Sequence, residues 1–378
     1  MDSVVDATEP PANLPAGVLE RAARTIALPG IGIPGQARIT AARVLVIGAG
    51  GLGSPVLSYL AAAGVGTIGI VDFDTVDLSN LQRQVIHRSA DIGEPKTASA
   101  ARSIAALTDS VTVIQHRLRL DASNALEIFA DYDIVVDGTD NFATRYLAND
   151  AAALLSKPYV WGSVLRFDGQ VSVFWEGAPN GRSLDYRDLH PVPPQPDQVL
   201  SCSEAGVLGS VCGVIGTMMA TEVLKLITGV GAPLLGRVQN LDALSGSWRE
   251  FELRRSPDRM PVAQLIDYDE FCGVPSAGGS ETEISAEQLA ALGGVRLIDV
   301  REPYEHDLAH IDGDELVPLA RLLDNPGALG TAPVIVYCAS GARSARAVAV
   351  LRARGVDARS LRGGIAAWHA AAVPADPS

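Results

Sequence analysis

The sequence predicts two α/β domains in tandem, a doubly wound one followed by a smaller one. Three observations carry this expectation. Two apolar runs, Arg43-Val-Leu-Val-Ile47 and Gly66-Thr-Ile-Gly-Ile-Val-Asp72, flank a helix-spaced segment from Ser54 to Ala63, which is the pattern of a βαβ unit. The turn between the first strand and the helix reads Gly48-Ala-Gly50-Gly51-Leu-Gly53, a G-x-G-x-x-G turn at the carboxyl end of a strand. At 378 residues the chain exceeds one ordinary core, and Ser276-Ala-Gly-Gly-Ser280 has the composition of a linker.

The remaining elements run in chain order. Pro95 to Leu107 has helical spacing, Val111-Thr-Val-Ile114 and Ile134-Val-Val-Asp137 read as buried strands, and Asn141 to Leu155 reads as a helix. Val171 to Trp175 fits a strand in a more antiparallel region, and Glu176 to Leu200, rich in Pro, Asp and Gly, fits a long loop. Gly206 to Thr228 is a long apolar helix stopped by Gly229. Beyond the linker, Val295 to Asp299 and Val334 to Cys338 are strands, and Ala342 to Arg354 is a helix. The expected organisation is a flexible segment 1–18, a first domain 19–275, a linker 276–282 and a second domain 283–378.

Composition excludes several functions. The formal net charge is -14 and no Lys/Arg run occurs, which argues against a nucleic-acid partner. The four cysteines, Cys202, Cys212, Cys272 and Cys338, form no C-x-x-C pair and imply no disulfide framework. Met1-Asp-Ser-Val-Val-Asp6 has neither the basic nor the apolar region of a signal peptide. The most apolar stretch, Val44 to Val71, contains seven glycines and a proline and reads as strand, turn, helix and strand rather than a membrane span. A cytoplasmic protein with no membrane partner is expected.

The glycine turn lets backbone approach a phosphate, and the helix N-terminus adds partial positive charge there. Asp72 stands about 20 positions on, where an acidic residue takes a ribose hydroxyl, so this much also fits an NAD-linked oxidoreductase. The stretch from Asp72 onward fits nucleotidyl transfer better: Asp72-Phe-Asp74-Thr-Val-Asp77-Leu-Ser-Asn80-Leu-Gln-Arg83-Gln84. Such chemistry needs a guanidinium on phosphate, a lysine that tracks the charge and a carboxylate for Mg²⁺. Arg83, Lys96 and Asp140 are the candidates. Asp140 and Asn141 come after a buried strand, on the same carboxyl edge as the glycine turn.

Residues 20–275 resemble the MoeB/ThiF family of adenylyltransferases, relatives of ubiquitin-activating enzymes. The matching stretches are G-x-G-G-L-G, D-x-D-x-V-x-x-S-N-L-x-R-Q, Gly93-Glu-Pro-Lys96 and D-x-x-D-N-x-x-x-R ending at Arg145. The resemblance implies a Rossmann-like domain of the ubiquitin-activating-enzyme type, ATP and Mg²⁺ as cofactors, and a homodimer. It implies as substrate a ubiquitin-like sulfur carrier protein ending in Gly-Gly. It places ATP on Gly48, Gly50, Gly51 and Gly53, the ribose on Asp72, phosphates on Asn80, Arg83 and Lys96, and Mg²⁺ on Asp140. Asp74, Gln84 and Asn141 complete the ATP set. Arg21-Ala-Ala-Arg24 resembles the family's N-terminal arginine pair, so Arg24 would reach the ATP of the other subunit, although Ala22 and Thr25 replace its aromatic and glutamine neighbours.

Many members of the family hold a structural zinc with two C-x-x-C pairs. Here those pairs would fall at Asp185-Tyr-Arg-Asp188 and near Pro257-Asp-Arg-Met260, and no sulfur remains. No zinc is expected, and Asp185 and Asp188 read as ordinary loop carboxylates. The pattern resembles a zinc-free subgroup, the actinobacterial MoeZ type.

The second site is a cysteine loop. Cys338 ends a buried strand, Gly341 permits a sharp turn, and a helix begins just after it. Cys-x-x-Gly-x-Arg makes a cradle of backbone N–H groups that stabilises an anion, so Cys338 can hold sulfur as a persulfide and Arg343 can orient an anionic donor. The surrounding domain resembles a rhodanese, through Leu297-Ile-Asp299-Val-Arg301-Glu-Pro-Tyr-Glu305, His310-Ile-Asp-Gly313 and Gly363-Gly364-Ile-x-x-Trp368. Asp299, Arg301 and Glu305 read as scaffold ion pairs. Thiosulfate or a desulfurase would supply the sulfur. Cys202, in a polar loop, is either a covalent participant in transfer or dispensable; Cys212 reads as core and Cys272 as structural. The combined expectation is carboxylate adenylation followed by sulfur transfer to a thiocarboxylate, in molybdopterin, thiamine or cysteine biosynthesis. The alternatives are an NAD-linked oxidoreductase with an accessory rhodanese domain and a non-catalytic partner of a ubiquitin-like protein.

Overall fold

The structure, a computed structural model, describes residues 14, 16–194, 205–272, 282–292, 294–339 and 341–372. Cys202, the 276–280 linker and most of the 1–18 segment lie outside the described residues. The chain divides into two compact units, 1–274 and 275–378.

The first unit is built on an eight-stranded sheet: β1 (Arg43–Ile47), β2 (Thr67–Val71), β3 (Thr112–His116), β4 (Ile134–Asp137), β5 (Tyr159–Leu165), β6 (Asp168–Phe174), β7 (Arg237–Asp242) and β8 (Ser247–Glu252). Their order is β3-β2-β1-β4-β5-β6-β7-β8. Pairing is parallel from β3 through β5 and antiparallel from β5 to β8. β4 is buried along its length, and β1 and β2 are buried beyond their first residues, as near-continuous apolar strands covered on both faces must be. The chain leaves β1 toward β2 on one side and meets β4 on the other, which opens a crevice at the carboxyl ends of β1 and β4.

The helix Gly209–Thr228 packs on the helix Gly53–Ala63 and on β5 and β6. By length and composition it could cross a membrane, but 61% of its apolar window is buried inside the fold. It begins three residues later than the apolar pattern suggests, because Gly206 has a left-handed backbone and Val207 bridges to Arg166. The region expected as a loop after Trp175 carries a short helix, Tyr186–Leu189, and a bridge from Trp175 to Leu184.

The second unit is a five-stranded sheet: β9 (Glu283–Ile284), β10 (Arg296–Asp299), β11 (Glu315–Leu316), β12 (Val334–Tyr337) and β13 (Ala358–Leu361). The order is β11-β10-β12-β13-β9, with every pair parallel. β12 is central and buried throughout, and it delivers Cys338 to the carboxyl edge.

Candidate active sites

Parallel register sets the first site. Ile47 lies abreast of Val71 on one side and of Asp137 on the other, so three loops leave the sheet together. The Gly48 N–H donates to the Val71 carbonyl at 2.8 Å, and the Gly138 N–H to the Ile47 carbonyl at 2.9 Å. Gly48 has a φ of 87°, in the left-handed region. A Cβ at Gly53 would stand 1.9 Å from the Gly48 carbonyl oxygen. Neither backbone segment can give way, so Gly53→Ala is expected to cost about 3 kcal/mol, the upper end of overpacking penalties. Chemical denaturation would measure it.

Asp72 is tied into the turn it serves. Its carboxylate accepts the Ala49 N–H and the Asp74 N–H, each at 2.8 Å. Burial pushes its carboxyl above the ordinary value, with nearby Lys96 pulling the other way. Buried Lys96 reaches the half-exposed Asp74 carboxylate at 2.9 Å, and the Lys96 N–H donates to the Asp74 carbonyl at 3.0 Å. Gln84 and Arg83 also lie against the turn: a Cβ at Gly50 would be 3.7 Å from Gln84 Nε2, and one at Gly51 would be 3.5 Å from Arg83 Cγ. The Asn80 carbonyl accepts both the Arg83 and Gln84 N–H groups, at 3.0 and 2.9 Å. Cys212 is buried as expected, directly beneath Gly51.

Asp140 is exposed and accepts no hydrogen bond from the described residues, so its oxygens are open to a cation. Asn141 caps the helix Phe142–Leu154, its side-chain oxygen accepting the Thr144 N–H at 2.9 Å. Arg24 is exposed on the short helix Ala23–Ile26. Gln84 Oε1 is buried and lacks a partner among the described residues; such an atom is met by an ordered water or a polar ligand.

Two further residues hold the site, and one of them, His87, was not singled out from sequence. His87 is buried and joins Ala49 to the next helix, with Nε2 2.8 Å from the Ala49 carbonyl and Nδ1 2.7 Å from Ser99 Oγ. Ser99 in turn donates to Asp91 at 2.7 Å. The signal was its place three residues after Gln84. Arg145 donates to the Thr139 carbonyl at 3.0 Å and lies over the Phe142 ring at 5.3 Å, shaping the loop that carries Asp140.

Asp185 and Asp188 are not ordinary loop carboxylates. Both are buried against Arg259, which binds Asp185, approaches Asp188 at 3.1 Å and pairs with Glu176 at 2.6 Å. This knot links the two segments where the resemblance would put the zinc pairs.

In the second unit, the Cys338 sulfur accepts the Gly341 N–H at 3.1 Å and the Ser344 hydroxyl at 3.6 Å. Gly341 has a φ of 108°, which a side chain resists. The Ile365 N–H donates to the Cys338 carbonyl at 2.8 Å, fixing the strand end. Both terminal nitrogens of the Arg343 guanidinium donate to Glu305, at 2.6 Å each, so this pair braces the loop. Asp299 and Arg301 form the expected buried pair, bridged at 2.6 Å. Cys272 is buried, and burial with nearby Asp269 pushes its thiol up to about 11, which suits a structural residue.

The description of the ThiF family matches residues 22–262, and that of the rhodanese-like domain matches residues 284–371. The chain belongs to the ThiF family. Within it, the chain is 50% identical over 95% of both lengths to the probable adenylyltransferase/sulfurtransferase MoeZ of Mycobacterium tuberculosis. It is 49% identical to the sulfur carrier protein adenylyltransferase of Thermus thermophilus, over 68% of this chain and 97% of that one. In fold it is similar to E. coli MccB solved with ATP, at a TM-score of 0.56 and 20% identity, covering 69% of this chain and 76% of that chain. Like its full-length ThiF relatives, it is an adenylyltransferase joined to a sulfurtransferase. The match decides the glycine turn in favour of adenylation over the NAD-linked alternative.

Proposed function

We propose that the protein adenylates the C-terminal Gly-Gly carboxylate of a ubiquitin-like sulfur carrier and then exchanges AMP for sulfur held on Cys338. The observation that carries this is the pairing, in one chain, of a glycine turn ringed by Asp72, Arg83, Gln84 and Lys96 with a sulfur-cradling loop at Cys338.

ATP lies along the turn, its ribose on Asp72. The carrier carboxylate attacks the α-phosphorus and pyrophosphate leaves. Arg83 and Lys96 meet the developing phosphate charge, and Lys96 exchanges Asp74 for phosphate as it does so. Asp140 would hold Mg²⁺, which neutralises phosphate charge when bound. The terminal sulfur of the Cys338 persulfide then attacks the acyl carbon and expels AMP, leaving an acyl disulfide. A thiolate, that of Cys202 in this reading, attacks the Cys338 sulfur and releases the thiocarboxylate. The resulting Cys202–Cys338 disulfide takes two electrons from an external thiol.

The working enzyme in this reading is a cytoplasmic homodimer in which Arg24 reaches the partner's nucleotide. Thiosulfate or a desulfurase charges Cys338, and the carrier belongs to molybdopterin, thiamine or cysteine biosynthesis. The enzyme needs no structural zinc, since the corresponding positions offer only carboxylates closed around Arg259 and neither thiolate nor imidazole.

The test is the intact mass of a Gly-Gly carrier incubated with the protein, MgATP, thiosulfate and a thiol reductant. Exchange of one oxygen for one sulfur is expected. An unchanged carrier with no AMP released, across carriers of all three pathways, would refute the reading. Asp72→Ala is expected to weaken ATP binding at least tenfold by calorimetry, because it removes the ribose partner and strands the Ala49 N–H.

A further inference from the structure

The second unit carries a cluster that neither half-reaction uses. His306 lies near the end of the short helix Pro303–Leu308, His310 comes just after it, and Asp314 lies in the turn before β11. One ring nitrogen from each imidazole and one Asp314 oxygen all lie within 4.8 Å of one another. His306 Nε2 is 3.1 Å from Asp314 Oδ1. The two imidazoles are stacked, with centroids 4.2 Å apart and planes 8° from parallel.

We propose that His306, His310 and Asp314 form a binding site for a divalent transition ion of the zinc class. Zinc at its usual bond lengths of about 2.0–2.1 Å to nitrogen and oxygen holds tetrahedral ligands roughly 3.3 Å apart. His306 and Asp314 already sit near that separation. The lone pairs lie in the ring planes, so the two stacked rings do not both face one ion as they stand; exposed His310 turns its ring out of the stack to bring a nitrogen in. Two imidazoles and a carboxylate select borderline transition ions over Mg²⁺ or Ca²⁺ and leave a coordination position open.

The surroundings position Asp314 and bias the tautomer of His310. His310 Nδ1 is 3.1 Å from the His306 carbonyl oxygen. Donation there fixes the tautomer that keeps a lone pair on Nε2. The Tyr337 hydroxyl donates to Asp314 Oδ2, leaving Oδ1 to face His306. The same hydroxyl accepts the Ile311 N–H at 3.1 Å. Outer partners of this kind orient metal ligands. The site is remote in sequence from the 185–188 and 257–260 segments and uses no sulfur.

Equilibrium dialysis of the chelator-stripped full chain against Zn²⁺, with metal counted by mass spectrometry, tests this. One ion per chain is expected. His310→Gln, at an exposed position that folding does not need, is expected to weaken binding at least as much as loss of an outer ligand partner, about 10–100-fold. Cys338→Ser is expected to leave it unchanged. Co²⁺ in place of Zn²⁺ should give visible d–d bands without sulfur-to-metal charge transfer. Equal binding by wild type and His310→Gln, or a thiolate charge-transfer band that disappears in Cys338→Ser, would overturn the proposal. So would absence of binding, which would leave His306 and Asp314 an ordinary hydrogen-bonded pair.

Discussion

Cys338→Ser is expected to abolish thiocarboxylate formation while sparing carrier-dependent ATP–pyrophosphate exchange. The serine oxygen fits the cradle made by the Gly341 N–H and the Ser344 hydroxyl, so the loop keeps its shape. An alcohol carries no transferable sulfur, however, and the loss should reach about 10³-fold or more, the scale on which removing a nucleophile acts. In the proposed mechanism adenylation proceeds at the glycine turn and uses no group of the loop, so exchange should stay within about twofold of wild type. Intact-protein mass after thiosulfate treatment is the direct check: wild type gains one sulfur and the variant gains none. A variant that still gains sulfur would move the carrier thiol elsewhere. Glu305→Ala separates chemistry from bracing. Burial pushes the Glu305 carboxyl up, but its pair with Arg343 outweighs this and holds it below the ordinary value. The pair therefore stabilises the fold above the unfolded carboxylate pKa and loses that contribution as pH falls through the lower folded value.

Arg259→Met is expected to destabilise the first unit by about 3–5 kcal/mol, the cost of leaving buried charges without their partner. Asp185 is 1% exposed and the Asp188 side chain is fully buried, so water cannot replace the guanidinium. Burial already pushes the Asp188 carboxyl up. Without Arg259 the Asp188 carboxyl, losing a cation 3.1 Å away, would rise further in the folded state and stay unchanged in the unfolded one. A folded value above the unfolded one favours folding at low pH and disfavours it as pH rises. The deficit should therefore be largest at neutral pH and shrink as Asp188 protonates. Urea denaturation at several pH values would show this. A pH-independent deficit would mean that Arg259 contributes packing alone. Replacing Asp185, Asp188 and Arg259 together with apolar residues should recover much of the loss, because no buried charge then remains.

The parallel half of the first sheet was legible because β1, β2 and β4 are apolar runs punctuated by glycine or aspartate. β8 was not. Ser247–Glu252 is almost wholly exposed, so nothing in its pattern marks a buried face, and only pairing with β7 makes it a strand. β9 and β11 are two residues each, too short to carry a period. At the sites, Lys96, Arg83 and Gln84 stand where their spacing suggested. Misreadings arose where a side chain's partner is distant in sequence. The Arg343–Glu305 pair went unread because its partners lie 38 positions apart, and Asp185 looked like a loop residue because Arg259 lies 74 positions on.

The Arg259 knot also bears on synthesis. At about 5–20 residues per second, the ribosome takes roughly 4–15 s to add the 74 residues between Asp185 and the arginine that neutralises it. During that interval the nucleotide-binding strands have emerged, but the aspartate-bearing segment has no cation to close on and must stay hydrated. A nascent chain paused before residue 259 would therefore be vulnerable to proteases at that segment, and a truncation there would remove the closing step of the first unit and not merely its tail.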